Sequence, residues 1–324
     1  MRIGKLTNEQ LDRLILEKLK HTRREVVCAP SVGVDCTAVA LEKGLAVLSC
    51  DPITAAESGI GRLTVNVSCN DAAASGAEPI GLMVTLLLPP SVTEEEIGSV
   101  MDEIIEAASA AKVDVIGGHT EITPAVTRIV TCATVIAQPV GDSLITPKGM
   151  RDGDDVVVTK HVGLEGAVIL ADKLPECQTL LSAAEIDEVR GFASDTSVVK
   201  EGLVSAKAGV HAMHDVTEGG VLGALWEMST ASGCGIAFDR SKIPVHPLTK
   251  KLCDHYGIDV YKLISSGSML IACENGKALC GRLKRNGVSA AVIGKADGSR
   301  PGGAVTDETG KPVDPPEADE IYKA

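Results

Sequence analysis

The chain has 324 residues, a length typical of two domains of roughly 150 residues each. Its formal net charge of −13 argues against a nucleic-acid backbone as the main partner, although an acidic chain still binds a nucleotide through Mg²⁺ and backbone N–H groups. Hydrophobic residues make up 44% and aromatic residues 2%, which predicts aliphatic cores and excludes the stacking surfaces of single-strand binders.

In the first half, apolar runs separated by turn residues predict strands that alternate with helices. Thr7 and Gln10 form a capping-box pair at the start of an amphipathic helix that reaches Lys20. The other predicted elements, in chain order, are three strands with intervening turns over 26–51, a tightly packed helix over 60–76, a strand over 81–88, a helix from Thr93 to about Ala111, a strand followed by a Gly turn over 113–122, and a strand over 127–137.

A polar stretch, 144–155, interrupts this pattern and divides the chain into predicted domains 1–148 and 149–324. The second domain again mixes strands and helices, so both halves are expected to be α/β or α+β. Its predicted elements are the strand VVVTK, a Gly-rich helix entry after it, a helix capped by Ser182 and Glu185, a hairpin-like GCGIAF, the strand SMLIAC, a helix over 278–286, the strand SAAVIG, and a loosely packed end from Asp297.

Ten cysteines are scattered along the chain without any Cys-x-x-Cys pair. Several of them, including Cys50, Cys69, Cys132 and Cys273, lie in apolar runs, which predicts reduced thiols used as small core residues. The first twenty residues are charged and amphipathic, unlike a signal peptide, and no apolar run approaches the roughly 18 residues of a membrane span. We therefore expect a cytoplasmic chain without a membrane segment.

Acidic residues and glycines recur where predicted strands end, a position at which carboxylates converge on one rim of a sheet and suit Mg²⁺. Each spot alone is also explained as a turn former, a solvated helix surface or a simple bend. Together they exceed what composition predicts, but their spacing does not identify a ligand. The four spots are Gly33-Val34-Asp35, Ser49-Cys50-Asp51, Asn70-Asp71 and Gly117-Gly118-His119-Thr120-Glu121.

In the second domain, the stretch HAMHDVTEGGVLGALWEM places a charged Gly-Gly turn before a helix. Such a turn either caps the helix or holds an anion at its N-terminus, because the first N–H groups there are unpaired. Lys160 and His161 follow the strand VVVTK and precede Gly163. A lysine there either steadies a transferred phosphate or is a solvated loop residue.

Five pieces of the chain resemble the family of AIR synthases and their relatives, and the resemblance covers about residues 1–295. That family includes the hydrogenase maturation factor HypE, selenophosphate synthetase, thiamine-monophosphate kinase and formylglycinamidine ribonucleotide amidotransferase. Within it the chain looks like a HypE-related paralogue. The pieces are VGVDCTAVAL, VLSCDPIT, VNVSCNDAAASGAEPIGLMVTLLLP, VIGGHTEI and MHDVTEGGVLGAL.

The resemblance implies a two-domain α/β fold whose N-terminal domain dimerises through its strands, with ATP and Mg²⁺ in the cleft between the domains. It further implies phosphoryl transfer from ATP to a carbonyl, amide or phosphate-accepting substrate. The metal ligands carried over by position are Asp35, Asp51 and Asp71. The nucleotide-site residues carried over are Asn70, Gly117, Gly118, His119, Thr120, Glu121, Thr217, Gly219 and Gly220. The catalytic candidates are Lys160, His214 and Asp215.

Three departures from the family pattern bear on the activity. The early turn has the single acid Asp35, where the family often has consecutive acids. The sequence ends EADEIYKA, and its last cysteine is Cys280, whereas HypE proteins finish in a cysteine that carries the carbamoyl group. The segment around Cys28 does not resemble the Gly-rich loop of selenophosphate synthetases.

Two hypotheses follow from different classes of protein. The first is an ATP-dependent enzyme, HypE-like but without the terminal cysteine. The second is a nucleotide-binding or non-catalytic paralogue that assembles with a maturation partner protein without turning ATP over; a homodimer is expected in either case. Whether Asp35, Asp51 and Asp71 hold a metal together distinguishes the two. A cysteine-based redox or metal protein has little support, because the sequence contains no pair with ligand spacing.

Overall fold

The computed structural model describes residues 8–9, 26–28, 34, 36–41, 44–54, 59–173, 180–314 and 318–324. Residues 8 and 9 are helical, and the rest of the predicted helix from Thr7 to Lys20 lies outside these ranges. Asp35 also lies outside them. Each half of the chain contributes one six-stranded sheet, as the mixed α/β pattern predicts.

The first sheet has the strand order β1-β2-β3-β6-β4-β5. Its neighbouring strands are antiparallel except for β4 and β5, which pair in parallel and are connected by the crossover helix α2. The bounds are β1 Val26–Cys28, β2 Thr37–Leu41, β3 Gly44–Ile53, α1 Ile60–Ala74, β4 Ala77–Leu88, α2 Glu94–Ala111, β5 Asp114–Ile122 and β6 Val130–Pro139.

The helix α1 packs on one face of this sheet, as its small side chains predict. Val65, Cys69 and Ala72 are fully buried there against β3, β4 and β6. The next helix, α2, begins with the predicted capping box, in which Thr93 and Glu96 each satisfy a backbone N–H of the other. The two helices together cover the inner face, and the core between them and the sheet is aliphatic.

The glycines of β5 lie inside the strand, so the prediction of a turn at Gly117–Gly118 was wrong. The strand continues from Asp114 to Ile122, paired with β4. A Cβ on Gly118 would collide with the carbonyl oxygen of Val84, and its φ is 153°. Glycine at this position is therefore required by the close approach of two strands.

The second sheet has the order β12-β9-β11-β7-β10-β8. The bounds are β7 Asp155–Thr159, α3 Leu164–Lys173, α4 Ala183–Gly191, α5 Val199–Ala206, β8 Ala212–Val216, α6 Gly220–Ser232, β9 Gly235–Phe238, α7 Pro247–Tyr256, β10 Ser268–Cys273, α8 Gly276–Arg285, β11 Ala290–Asp297 and β12 Val305–Thr306. Short 3₁₀ turns occupy Pro147–Gly149, Phe192–Asp195, Arg240–Lys242, Val260–Lys262 and Glu320–Lys323.

Two predictions for this half were wrong. The GCGIAF segment does not form a local hairpin, because β9 pairs antiparallel with β11 and parallel with β12. The residues beyond Asp297 are not uniformly loose, because Val305 and Ile321 are buried in apolar clusters. In contrast, the capping box of Ser182 and Glu185 is present as predicted. Within the described ranges, no helix is both long and apolar enough to span a membrane.

The two halves meet where α1 packs against α5 and β8. Ala74, at the end of α1, belongs to an apolar cluster with Val157, Val198 and Met213 of the second half. A Cβ on Gly202 would collide with the carbonyl oxygen of Ala73, so α5 lies directly against the backbone of α1. Helix α1 therefore contacts both the first sheet and the second domain.

Candidate functional site

Two of the predicted acidic residues come together between β3 and α1. Ser49 and Asp51 alternate along β3, so both side chains lie on the face that α1 covers. The Ser49 hydroxyl hydrogen-bonds to Asp71 Oδ2, and its Oγ lies 3.2 Å from Asp51 Oδ2. One hydroxyl thus joins two carboxylates that are 20 positions apart in the sequence. We refer to Ser49, Asp51 and Asp71 as the carboxylate pair with its serine bridge.

The negative charge of this pair contributes to the raised pKa of a neighbouring thiol. Burial, followed by the charge of Asp71, raises the pKa of the Cys69 thiol to about 12. Carboxylate and hydroxyl oxygens are the ligands that Mg²⁺ prefers, and two like charges in one place are relieved by a bound cation. The chemistry of this donor set therefore fits Mg²⁺. Asp35, the third predicted ligand, lies outside the described residues.

Asn70, the neighbour of Asp71, holds the domain junction. Its side-chain amide donates to the carbonyl oxygen of Thr196 at 2.8 Å and accepts the N–H of Val198 at 2.7 Å. One turn earlier, Asn66 donates to the Thr196 hydroxyl at 2.8 Å. Both sides of the Asn70 amide are thus engaged with the second domain, and α1 places a junction residue directly beside a carboxylate of the pair.

Lys160, which follows β7, contacts the same 195–198 segment as Asn70. Its ammonium donates to the carbonyl oxygens of Asp195 and Ser197 at 2.8 and 2.7 Å, and lies 2.7 Å from the buried carboxylate of Glu201. The ammonium thus makes two hydrogen bonds to backbone carbonyls and one ion pair. Its backbone φ of 52° is unusual for a residue other than glycine. The structure therefore places Lys160 in the junction.

The Gly117–Glu121 group lies on β5, three strands from β3. Asp51 pairs with Ala133, Ala133 with Val84, and Val84 with Gly118, so Asp51 and Gly118 lie in one row across the sheet. With ~4.8 Å between strands, that row is ~14 Å long. The residues of this group do not reach the carboxylate pair within one chain. All of β5 is exposed, and His119 lies 3.8 Å from Glu121.

His214 and Asp215 belong to β8 rather than to the turn that follows it. Both are buried, and they pair in register with Leu270 and Met269 of β10. The His214 ring contacts Glu227 of α6, with Nε2 3.1 Å from Oε2. These two residues are thus built into the sheet, whereas Thr217 is half-buried in the turn.

The Gly-Gly turn before α6 already holds an anion from its own chain. Gly219 and Gly220 have φ values of 82° and 61°, which favour glycine. The N–H of Gly219 donates to Asp319 Oδ2 at 2.7 Å, and Asp319 also accepts the N–H of Ile321 at 2.9 Å. A Cβ on Gly220 would lie 2.6 Å from the carbonyl oxygen of Tyr261. The turn is therefore filled by the chain itself.

A buried acid lies beside this turn. Burial raises the pKa of Glu165, with further contributions from the charges of Asp319 and Glu218, while hydrogen bonds with Ser266 oppose the shift. Burial likewise raises the pKa of Asp319. Glu165 Oε2 has no hydrogen-bond partner within the part of the chain that the structure describes. The second domain thus holds an acid that favours its neutral form.

Three of these residues, Asn66, Glu201 and Asp319, were not predicted from the sequence, and Ser49 was named there only as part of a turn beside Asp51. The spacing of two between Ser49 and Asp51 along a strand, and of four between Asn66 and Asn70 along a helix, could have indicated their shared faces. No local signal marks Glu201 or Asp319, because their partners are distant in the sequence.

Two family descriptions match the chain. The N-terminal domain of AIR synthase related proteins matches residues 33–138, and the C-terminal domain matches residues 151–306. Together these ranges contain the carboxylate pair, β5, the junction and the Gly-Gly turn.

Curated relatives and solved structures agree with this match. A putative hydrogenase expression/formation protein of Methanocaldococcus jannaschii is 28% identical over 252 residues, which cover 76% of this chain and 72% of the relative. The carbamoyl dehydratase HypE of Rhodobacter capsulatus is 25% identical over 255 residues, covering 76% and 72%. A structure of the hydrogenase maturation protein HypE in complex with ATP has a TM-score of 0.74 at 21% identity and covers 98% of this chain and 94% of that one; it shows the fold alone.

The resemblance seen in the sequence and the predicted two-domain α/β fold are thus confirmed. The chain belongs to the family of AIR synthase related proteins and has HypE-like relatives.

Proposed function

We propose that the chain is an ATP-dependent enzyme that binds Mg²⁺ at the carboxylate pair and transfers a phosphoryl group to an oxygen of a carbonyl, amide or phosphate-accepting substrate. The observation that carries the proposal is the serine bridge, which holds Asp51 and Asp71 together from two different elements. Family membership supports the same chemistry, and one HypE relative has been solved with ATP.

The acidic residues have the proposed role of binding the cation. Asp51 and Asp71 hold the cation, and we keep Asp35 as a third ligand because of the resemblance. When bound, Mg²⁺ neutralises charge on the phosphates. The acceptor oxygen attacks the terminal phosphorus while the bond to the bridging oxygen breaks, so the chain has to position both groups in line.

For the remaining candidates the contacts suggest specific roles. Lys160 and Asn70 act as positioning residues, since both hold the 195–198 segment. His214 and Asp215 stabilise the second sheet beside the site. Thr217, and the exposed β5 group of Gly117, His119, Thr120 and Glu121, remain available to a ligand.

We further propose that the enzyme is a homodimer formed through β5. This edge strand is exposed at every residue and carries Val115, Ile116 and Ile122, while the neighbouring β4 exposes Ile80 and Met83. An exposed edge strand with apolar side chains invites pairing with a second strand. A second copy would also bring another β5 group to the assembly, which one chain keeps ~14 Å from its own carboxylate pair.

A non-catalytic paralogue is the second candidate. The contacts of Lys160 favour it, because two backbone carbonyls and the Glu201 carboxylate hold the ammonium in the junction rather than toward a transferred phosphate. In that case β5 would bind a maturation partner protein rather than a second copy.

Calorimetric titration of ATP with and without Mg²⁺ tests the proposal. We expect Mg²⁺-dependent binding by the wild type and its loss in Asp71→Asn, which keeps the shape of the side chain but removes a charged ligand. Asp102→Asn is the matched control, since Asp102 is exposed on α2. Binding that survives in Asp71→Asn, or that requires no Mg²⁺, would contradict the proposed site.

Turnover separates the two candidates. If the wild type binds Mg²⁺ and ATP, release of ADP in the presence of candidate carbonyl and amide substrates supports the enzyme. Binding without turnover for any of them favours the paralogue.

A further inference from the structure

Two cysteines that are far apart in the sequence meet on the outer face of the first sheet. Cys50 of β3 and Cys132 of β6 are 82 positions apart, and their Sγ atoms are 3.5 Å apart. Both are free thiols. The prediction that Cys50 is a core residue was wrong, because its side chain points away from α1 and is exposed, whereas Cys69 and Cys273 are buried as predicted.

The two cysteines lie diagonally across β3 and β6, and the Asp51–Ala133 position lies between them. In the antiparallel register of β3 and β6, Cys50 is opposite Thr134, Asp51 is opposite Ala133, and Pro52 is opposite Cys132. A bond between the two sulfurs would therefore join the strands across the Asp51–Ala133 step, on the face opposite the Asp51 side chain.

The two thiols differ in access. Cys50 is exposed and lines a cavity of about 200 Å³ together with Ser49 and Thr134, whereas Cys132 is half-buried. An oxidant from solution therefore reaches Cys50 first, which makes Cys50 the attacking thiol and Cys132 the resolving one.

We propose that Cys50 and Cys132 form a reversible dithiol–disulfide pair, a modification site beside the carboxylate pair. With a small disulfide as oxidant, the Cys50 thiolate attacks one of its sulfurs and releases one thiolate. Cys132 then loses its proton, attacks the Cys50 sulfur of the mixed disulfide and releases the second thiol. One small disulfide is reduced to two thiols while the two cysteines are oxidised to one cystine.

The bond would act on the site through the backbone of β3. Closing the sulfurs from 3.5 Å to about 2 Å changes the side-chain torsions of both cysteines and pulls β3 and β6 together around Asp51. Mg²⁺ tolerates little deviation from octahedral geometry, so a shift of Asp51 weakens its binding. This consequence, unlike the bond itself, rests on the proposed Mg²⁺–ATP function.

Oxidation by glutathione disulfide, followed by peptide mapping in a mass spectrometer, tests the bond. We expect a Cys50–Cys132 cross-linked peptide in the wild type, reversed by dithiothreitol and absent from Cys50→Ser and Cys132→Ser. The matched control is Cys280→Ser, which removes a half-buried thiol from α8 and should cross-link like the wild type. Cross-links spread over other cysteines, or only glutathione adducts on Cys50, would overturn the proposal.

Titration of Mg²⁺–ATP into the reduced and oxidised proteins tests the consequence. We expect the Kd to rise about fivefold or more on oxidation of the wild type and Cys280→Ser, and to stay constant for Cys50→Ser. An unchanged Kd in fully cross-linked wild type would overturn the coupling to Asp51. If the reduced wild type does not bind ATP, the proposed function fails, and the peptide map alone decides on the dithiol pair.

Discussion

The strands β5 and β8 are both at the edge of a six-stranded sheet, yet β5 is exposed at every residue and β8 is buried at every residue. The difference lies in what covers them. Helices α1 and α6 pack against β8, whereas the main contacts of β5 are with β4 and α2. An uncovered edge strand is a liability for a lone chain. One edge is thus covered within the fold, and the other is left uncovered.

The largest effect is expected from placing the same charge on each edge. Met213→Lys puts an ammonium into a fully buried position of β8 and should destabilise the fold by about 4 kcal/mol or more. Ile116→Lys, at a position of β5 that is 55% exposed, should change the stability of one chain by about 0.5 kcal/mol or less but dissociate the proposed dimer. Urea unfolding and analytical ultracentrifugation measure these two quantities. Equal destabilisation by both variants, or a dimer that persists in Ile116→Lys, would remove the distinction.

An intermediate effect is expected at the junction that covers β8. Lys160→Met leaves the Glu201 carboxylate buried without its cation and should cost about 3 kcal/mol in the free energy of unfolding. Lys295→Met is the matched control, since Lys295 also contacts a carbonyl oxygen and a carboxylate but is exposed. The free energy of unfolding of that control should fall by less than about 1 kcal/mol. Similar losses in both variants would show that Lys160 does not secure the junction.

The smallest effect is expected from the buried acid of the second domain. Because the pKa of Glu165 is raised in the folded state, the folded chain holds its proton at a pH where the unfolded chain has released it. Wild-type stability therefore falls as pH rises from the ordinary pKa of Glu toward the raised one. Glu165→Gln stays neutral, so its free energy of unfolding should match that of the wild type near pH 4 and exceed it at pH 8.

Denaturation at the two pH values measures this difference. Asp319 and Glu218 are the charged groups that act on Glu165, and both remain in the variant. Glu274→Gln, an exposed acid, is the control and should show no such pH dependence. A constant difference between wild type and Glu165→Gln at both pH values would contradict the assignment.

Much of the fold could be predicted because its signals are local. The capping boxes at Thr93 and Ser182 mark the starts of two helices, and strands such as SMLIAC are continuous apolar runs. The run GGHT in β5 was predicted to contain a turn, because glycine normally marks one. Here Gly118 instead allows two strands to approach closely. Propensity alone does not separate these two uses of glycine.

Less of the candidate site could be predicted, because its contacts join distant segments. The acids Asp51 and Asp71 were predicted individually, but only the fold shows that Ser49 joins them. The Gly-Gly turn was predicted either to cap the helix or to hold an anion, and no local signal indicates that Asp319, 100 positions after Gly219, accepts its N–H. Similarly, the meeting of Cys50 and Cys132 depends on the register of β3 and β6, which no spacing in the sequence encodes.

The parallel pairing of β4 and β5 determines when β5 can join the sheet during folding. A parallel neighbour requires a crossover connection, here α2, so β5 pairs with β4 over a longer loop than a hairpin would need. Non-local pairing of this kind is slow, and apolar strands that wait unpaired promote aggregation. Refolding from urea at low protein concentration should therefore show late hydrogen-exchange protection of β5 amides. Recovery should fall as the protein concentration rises, because aggregation then competes with the pairing of β5 and β4.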